Sequence, residues 1–329
     1  MDTPRPNLFV IGAMKSATTY FSQLLGSHPS IFVSVPKEPC FFCDPELLRK
    51  TYPEAWERGF WRSLDQYLSL FVNARHARYI AEASTTYSMA PLFADVPQRI
   101  LALSPNARFI YIMRDPIERT VSHYWHRANY WGETRPMLHA IRTDRIYTDV
   151  SHYAMQLQTY FRHVVRDRIY VLTYEALIAD PIGQLSQVYR WLGVDPTVRP
   201  PKLEVPVNVM PEAIRMARGF GLLRNFATST LYAKVFPWVP SLMRKLGSRL
   251  AFRHVAPREV PTAQVEAYLR PIQLRQTEAL SALLQRSFAE WTTLHGTGKS
   301  IAFGSGQNDA DVRQEGELRI LTPQRIGRR

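Results

Sequence analysis

A disulfide framework and a four-cysteine zinc site are the first things this chain lacks the residues for. Its 329 residues contain two cysteines, Cys40 and Cys43, too few for a disulfide framework and suited to a reducing compartment, so a cytoplasmic setting is expected. Their C-x-x-C spacing is that of a zinc or redox pair, but zinc would need two more ligands and no second pair exists; no thioredoxin-like pattern surrounds them. No stretch approaches the roughly twenty uninterrupted apolar residues of a membrane span. The start, MDTPRPNLFVIG, has an acidic second residue and no apolar core of signal-peptide length. Acidic residues are also scarce, 28 against 41 Lys and Arg, for a net charge of +13. That balance favours anionic partners such as nucleotides, sulfated or phosphorylated substrates, nucleic acid or an acidic membrane, without choosing among them.

What is present is a chain that can build a large core: 46% hydrophobic, 12% aromatic. The stretch Asn7–Pro29 organises the rest. Leu8, Phe9, Val10 and Ile11 form a short apolar run of the kind that becomes a buried strand. Gly12 breaks it, and a loop of small and hydroxylated residues follows: Ala13, Ser16, Ala17, Thr18, Thr19. A helical pattern then places Tyr20, Phe21, Leu24 and Leu25 on one side and stops at Gly26 and Pro29. Strand, turn and helix N-terminus together make an anion site, because the first-turn N–H groups are unpaired and the dipole is positive there. Lys15 adds a full charge, and Ser16, Thr18 and Thr19 add hydroxyls. The segment is not a Walker A loop, since the second glycine of that motif is missing.

Downstream, Tyr79–Ser84 reads as a strand with a carboxylate, Glu82, near its end, where ligands of open parallel sheets bind. Ala107–Met113 is the clearest strand and runs directly into Arg114-Asp115-Pro116. Asp115 fits an N-cap, Pro116 the first helical position and Glu118 the third position of a capping box; the helix then carries Ser122 two turns in. Ile169–Glu175 reads as a further strand, followed by Asp180-Pro181 and a helix ending near Gly193. The aromatics between Tyr52 and Phe71 read as helical packing or a lid over the site. Together these elements predict one α/β domain over residues 1–296, with a central, mostly parallel sheet flanked by helices, and a disordered tail over 297–329. Residues Ile214–Arg253 carry many basic and no acidic side chains; the segment reads as a helix with a solvated basic face, or as a peripheral membrane contact.

Lys15-Ser16-Ala17-Thr18-Thr19 resembles the 5′-phosphosulfate loop, K-[ST]-G-T-T, of sulfotransferases that use 3′-phosphoadenosine 5′-phosphosulfate, with Ala17 in the glycine position. Arg114 and Ser122, eight residues apart, resemble the family's 3′-phosphate signature. The strand with Tyr174 and Glu175, and the helix ending in Gly193, resemble a third segment. Pro36-Lys37-Glu38 with Phe41-Phe42, and Glu82 with Ser84 and Tyr87, are similar to motifs of carbohydrate, heparan-sulfate-type members and their bacterial relatives; Leu269–Trp291 resembles the closing helix of the bacterial ones. The resemblance implies a P-loop-kinase-like sulfotransferase fold and transfer of a sulfuryl group to an acceptor hydroxyl, or less readily an amine, on a saccharide, glycolipid or other small molecule. It further implies Glu82 as general base, Lys15 at the sulfuryl oxygens and the departing phosphate, Lys37 near the acceptor or the sulfuryl group, and Lys15, Ser16, Ala17, Thr18, Thr19, Arg114 and Ser122 on the nucleotide, with no metal. The family's basic closing loop is missing, and Asn208, Arg215 and Arg218 are its candidate substitutes. The rival readings are a P-loop-type small-molecule kinase, which would need a full Walker A and a magnesium-binding acid, and a basic nucleic-acid-binding protein, which leaves the ordered Lys15, Arg114, Ser122 set without a purpose.

Overall fold

Five short apolar strands form the centre of the molecule: β1 (Leu8–Gly12), β2 (Ile31–Val33), β3 (Tyr79–Ala83), β4 (Arg108–Met113) and β5 (Ile169–Thr173). In this computed structural model, which describes residues 4–200, 214–217, 252–255 and 262–297, they pair in the order β2-β3-β1-β4-β5. All four pairings are parallel. Parallel strands are covered on both faces and so read as continuous apolar runs, which is why their positions are legible in the sequence. Among the described residues no helix is long and apolar enough to cross a membrane.

The two faces bury separate cores. One carries Leu8, Val10, Ala81, Ile110 and Ile112, covered by Tyr20, Phe21, Leu24 and Leu25 of the helix Thr18–Leu25 and by the helices Tyr174–Ala179 and Pro181–Leu192. The other carries Phe9, Ile11, Ile80, Phe109 and Tyr111, covered by the helices Val96–Leu103, Pro116–Tyr130 and Tyr153–Phe161 and by part of Ala263–Leu284. Phe9 stacks on Phe109, ring centres 5.8 Å apart, locking β1 to β4 on that side.

Strand order places the site. The chain leaves β1 towards β2 on one side and later crosses to β4 on the other, so a crevice opens beyond the carboxyl end of β1. Gly12 sits at that end with φ +147°, and a Cβ there would come within 2.0 Å of Ser88 Oγ. Gly12→Ala is therefore expected to fold poorly or displace the 85–88 turn, seen as a loss of soluble protein or a melting temperature several degrees lower.

Three local expectations change. The strand from Ile169 stops at Thr173, whose hydroxyl caps a short helix containing Tyr174 and Glu175. The capping box at Asp115 is half made. Asp115 accepts the N–H groups of Ile117 and Glu118, but its own N–H donates to Glu175 Oε1 at 2.8 Å, leaving Glu118 free for another partner. A small antiparallel pair, Ile214–Ala217 with Phe252–Val255, has no counterpart in the sequence reading. Most of the basic segment 214–253, the tail 297–329 apart from Thr297, and Asn208 and Arg218 lie outside the described residues, as does the side chain of Arg215.

Candidate active site

The loop after β1 is shaped by two left-handed residues, Lys15 at φ 71° and Ala17 at φ 58°. Ala17 is the N-cap of the helix Thr18–Leu25 and offers no side-chain cap, so the first-turn N–H groups face the crevice without a side-chain acceptor from the cap. Its left-handed backbone explains why glycine suits this position. Ala17→Gly is expected to raise stability by up to about 1 kcal/mol, the left-handed penalty less the added flexibility of the unfolded chain. The denaturant midpoint measures it. Ser16 is fully buried, and its hydroxyl has no partner among the described residues; a buried hydroxyl left unpaired at a helix N-terminus is a donor waiting for a ligand. Thr18 Oγ1 accepts Lys37 Nζ at 2.9 Å, and Thr19 is half-buried on the same turn.

Three cations therefore converge. Lys15 is pushed down to about 8, first by burial and then by the charges of Arg114, Lys37 and Arg119. A buried lysine repelled by its cationic neighbours is a feature of anion sites. Lys37 also pairs with Glu38 at 3.1 Å. Its backbone is tied down by Arg58, which donates to the carbonyls of Lys37 and Glu38. Arg114, at the end of β4, donates to the Lys15 carbonyl at 3.4 Å, pairs with Glu118 at 2.8 Å and lies over the Tyr174 ring. Its Nε–H is buried and unpartnered among the described residues. Ser122 is buried on the helix Pro116–Tyr130, one turn after Glu118.

Glu82 pairs in register with Phe9, three residues before Gly12, so it lies beneath the loop rather than at its rim. It is fully buried, not a surface carboxylate. Oε1 accepts Ser84 Oγ at 2.6 Å; Oε2 accepts Tyr67 Oη at 2.5 Å and Tyr87 Oη at 3.2 Å. The spacing Glu82, Ser84, Tyr87 thus has a physical reason: the turn Thr85–Ser88 folds back so that both hydroxyls reach the carboxylate. Burial raises Glu82 to about 7 against the pull of these three donors. Tyr67 carries no motif; its packing against Phe41, ring centres 4.2 Å apart, and against Phe42 and Phe71 brings it here. Glu38, which accepts the N–H and hydroxyl of Thr85, is a second carboxylate here, named in the Pro36-Lys37-Glu38 motif but given no role from the sequence.

Arg119, Ser122, His123 and His126 share one face of their helix. Burial and nearby cations, Lys15 among them, hold both histidines neutral, His123 well below its ordinary value and His126 at about 4. Both imidazoles are thus within electrostatic reach of Lys15. Arg119 donates to His123 Nδ1 at 3.4 Å; since arginine cannot accept, the His123 proton sits on Nε2 and its lone pair is committed. Cys40 and Cys43 are buried free thiols around Thr86 Oγ1.

A strand–loop–helix anion cradle, an arginine at the next strand's end and a buried carboxylate on the other neighbouring strand define a nucleotide-dependent group-transfer class of site. Comparison with known proteins gives the family. A model of the sulfotransferase family matches residues 6–198, and the chain belongs to that family. Among curated relatives, the mouse heparan sulfate glucosamine 3-O-sulfotransferase 3A1 is 24% identical over 202 residues, covering 57% of this chain and 46% of the relative. The membrane-associated sulfotransferase kil1 of Dictyostelium discoideum is 32% identical over 126 residues, 38% of this chain and 24% of that one. The chain spans about half the length, or less, of the curated relatives it matches. A crystal structure of a sulfotransferase from Alicyclobacillus acidocaldarius matches with a TM-score of 0.62 at 23% identity, covering 88% of this chain and 99% of that one. The fold is the P-loop-kinase-like sulfotransferase fold.

Proposed function

We propose that this protein transfers a sulfuryl group from 3′-phosphoadenosine 5′-phosphosulfate to an acceptor hydroxyl by in-line displacement. The observation that carries the reading is the convergence of Lys15, Lys37 and Arg114 beyond the carboxyl ends of β1 and β4, with a buried carboxylate on β3. The acceptor oxygen bonds to sulfur as the bond from sulfur to the 5′-phosphate oxygen breaks, releasing adenosine 3′,5′-bisphosphate. The acceptor proton passes to Glu82. Lys15, with the first-turn N–H groups and the hydroxyls of Ser16, Thr18 and Thr19, takes up charge on the departing 5′-phosphate; Lys37 serves the sulfuryl oxygens; Arg114 and Ser122 hold the 3′-phosphate. Donors fixed in place before reaction cost no reorganisation when charge develops, which is where most of the acceleration arises.

Glu82 is closed off by Tyr67, Ser84 and Tyr87, so taking a proton requires one of these bonds to open or one hydroxyl to relay it. A saccharide acceptor fits the names of the heparan sulfate relatives, and a cytoplasmic setting fits the two unpaired thiols. Transfer of labelled sulfate from the donor into saccharides, glycolipids and other small molecules of a lysate tests the reading, together with calorimetry of adenosine 3′,5′-bisphosphate against ATP. Preference for the bisphosphate and label in an acceptor are expected; preference for ATP with no transfer would replace the reading with a kinase.

A further inference from the structure

We infer that the carboxyl-terminal segment Glu290–Leu294 is a positioning clamp for Arg114, an inference that rests on the donor reading above. Three carboxylates surround the Arg114–Asp115 turn, and each is divided in the same way. Glu118 gives Oε2 to the Arg114 guanidinium and Oε1 to the Thr293 hydroxyl at 2.9 Å. Asp115 gives Oδ1 to the helix N-terminus and Oδ2 to the Leu294 N–H at 2.9 Å. Glu175 gives Oε1 to the Asp115 N–H and Oε2 to the Trp291 indole N–H at 3.2 Å. One oxygen of each serves the turn, and the other is held by residues about 115 to 180 positions further along the chain.

The segment is itself anchored. Trp291 is fully buried, stacked on Phe288 and packed on Tyr153, whose hydroxyl donates to the Arg114 carbonyl at 2.7 Å. Glu290 accepts from Thr173 at the end of β5 and pairs with Arg286 at 2.6 Å.

The consequence is geometric. An arginine that is to grip a phosphate with its planar fork must present a fixed edge. Glu118 holds one end of the Arg114 guanidinium, and Tyr174 sets its plane. The Nε–H is left buried and unpartnered among the described residues. A Glu118 carboxylate free to rotate would let the fork follow it and would compete with the incoming phosphate. Thr293 pins the far oxygen and removes that freedom, so the segment acts on the donor through Glu118 without touching it.

The test is calorimetry of adenosine 3′,5′-bisphosphate and adenosine 5′-monophosphate with Thr293→Val, which keeps the shape and removes the hydroxyl. Affinity for the bisphosphate is expected to fall about three- to tenfold, with the monophosphate unchanged and Thr293→Ser restoring the difference; part of a charge-assisted hydrogen bond is what is lost. Trp291→Phe, which removes only the indole N–H from Glu175, is expected to act in the same direction. Equal losses for both nucleotides, or no loss for either, overturn the clamp. Arg114→Ala separates the two levels: if it lowers affinity for both nucleotides equally, or for neither, the donor reading falls; if it lowers affinity for the bisphosphate alone while Thr293→Val does not, only the clamp falls.

Discussion

Glu82→Gln is expected to lower turnover by about 10²- to 10⁴-fold with donor affinity nearly unchanged. Glutamine is close to isosteric and can still bond to Tyr67, Ser84 and Tyr87, whose hydroxyls can turn to suit it, so the change isolates basicity from packing. The raised value of about 7 sets the pH dependence. Only the ionised carboxylate accepts a proton, so wild-type turnover should climb through about pH 7 and level above it. The linkage to stability has the opposite sense. A carboxylate raised from 4.5 to about 7 on folding stabilises the native state below the unfolded value, and that contribution is lost as pH rises through 7. At pH 8 the buried charge therefore costs on the order of 3 kcal/mol, and Glu82→Gln should melt no lower than wild type there. An inactive variant that is as stable as wild type, or more so, is the signature of a group kept for chemistry.

Two rivals for the base are separable in the same experiment. His123 is disfavoured because its Nδ1 lone pair is taken by Arg119 and both histidines stand among cations. Glu38 is the more serious competitor: it is partly exposed, at 26%, and adjacent to Lys37. Should Glu38→Gln or His126→Gln lose turnover while Glu82→Gln keeps it, the assignment to Glu82 is wrong.

The parts of this site that were legible in the sequence are the ones set by local rules. Gly12, the hydroxyl-rich loop and the helix pattern after it announce a strand, a tight turn and a helix start because each is decided within a few positions. Asp115-Pro116 announces a helix start for the same reason. What was not legible depends on long-range contact. Glu118 satisfied the capping-box spacing, yet Glu175, from the neighbouring strand's end, took the donor it was expected to cap, and Glu118 turned to Arg114 and Thr293. Tyr67 is one aromatic among many in an apolar stretch, and only the tertiary fold brings its hydroxyl to Glu82. The strand ending at Thr173 was read two residues too long because Tyr and an apolar run favour β-structure, whereas the Thr173 hydroxyl caps a helix instead.

Lys15→Ala is expected to be the second severe loss, about 10²- to 10³-fold in turnover, because the charge it neutralises on the departing phosphate grows in the transition state. Arg114→Ala should differ in kind. The 3′-phosphate is remote from the breaking bond, so its loss should fall mainly on donor affinity. The depressed value of Lys15, about 8, supplies a signature that neither variant's activity alone provides. In the empty site burial and three neighbouring cations disfavour the ammonium, so at pH 8 roughly half of the molecules carry a neutral Lys15. A bound polyphosphate reverses the sign of the local field and draws the proton back. Donor-product binding near pH 8 should therefore take up a fraction of a proton per site at Lys15, an uptake that shrinks and turns to release as pH falls towards the phosphates' own second ionisation at about 6. Calorimetry of adenosine 3′,5′-bisphosphate in two buffers of different ionisation enthalpy reads this directly. The uptake should vanish in Lys15→Ala and persist, on weaker binding, in Arg114→Ala, where Lys15 is relieved of one repelling charge but still meets the 5′-phosphate. Uptake that survives in Lys15→Ala would place the titrating group elsewhere and remove Lys15 from the 5′-phosphate.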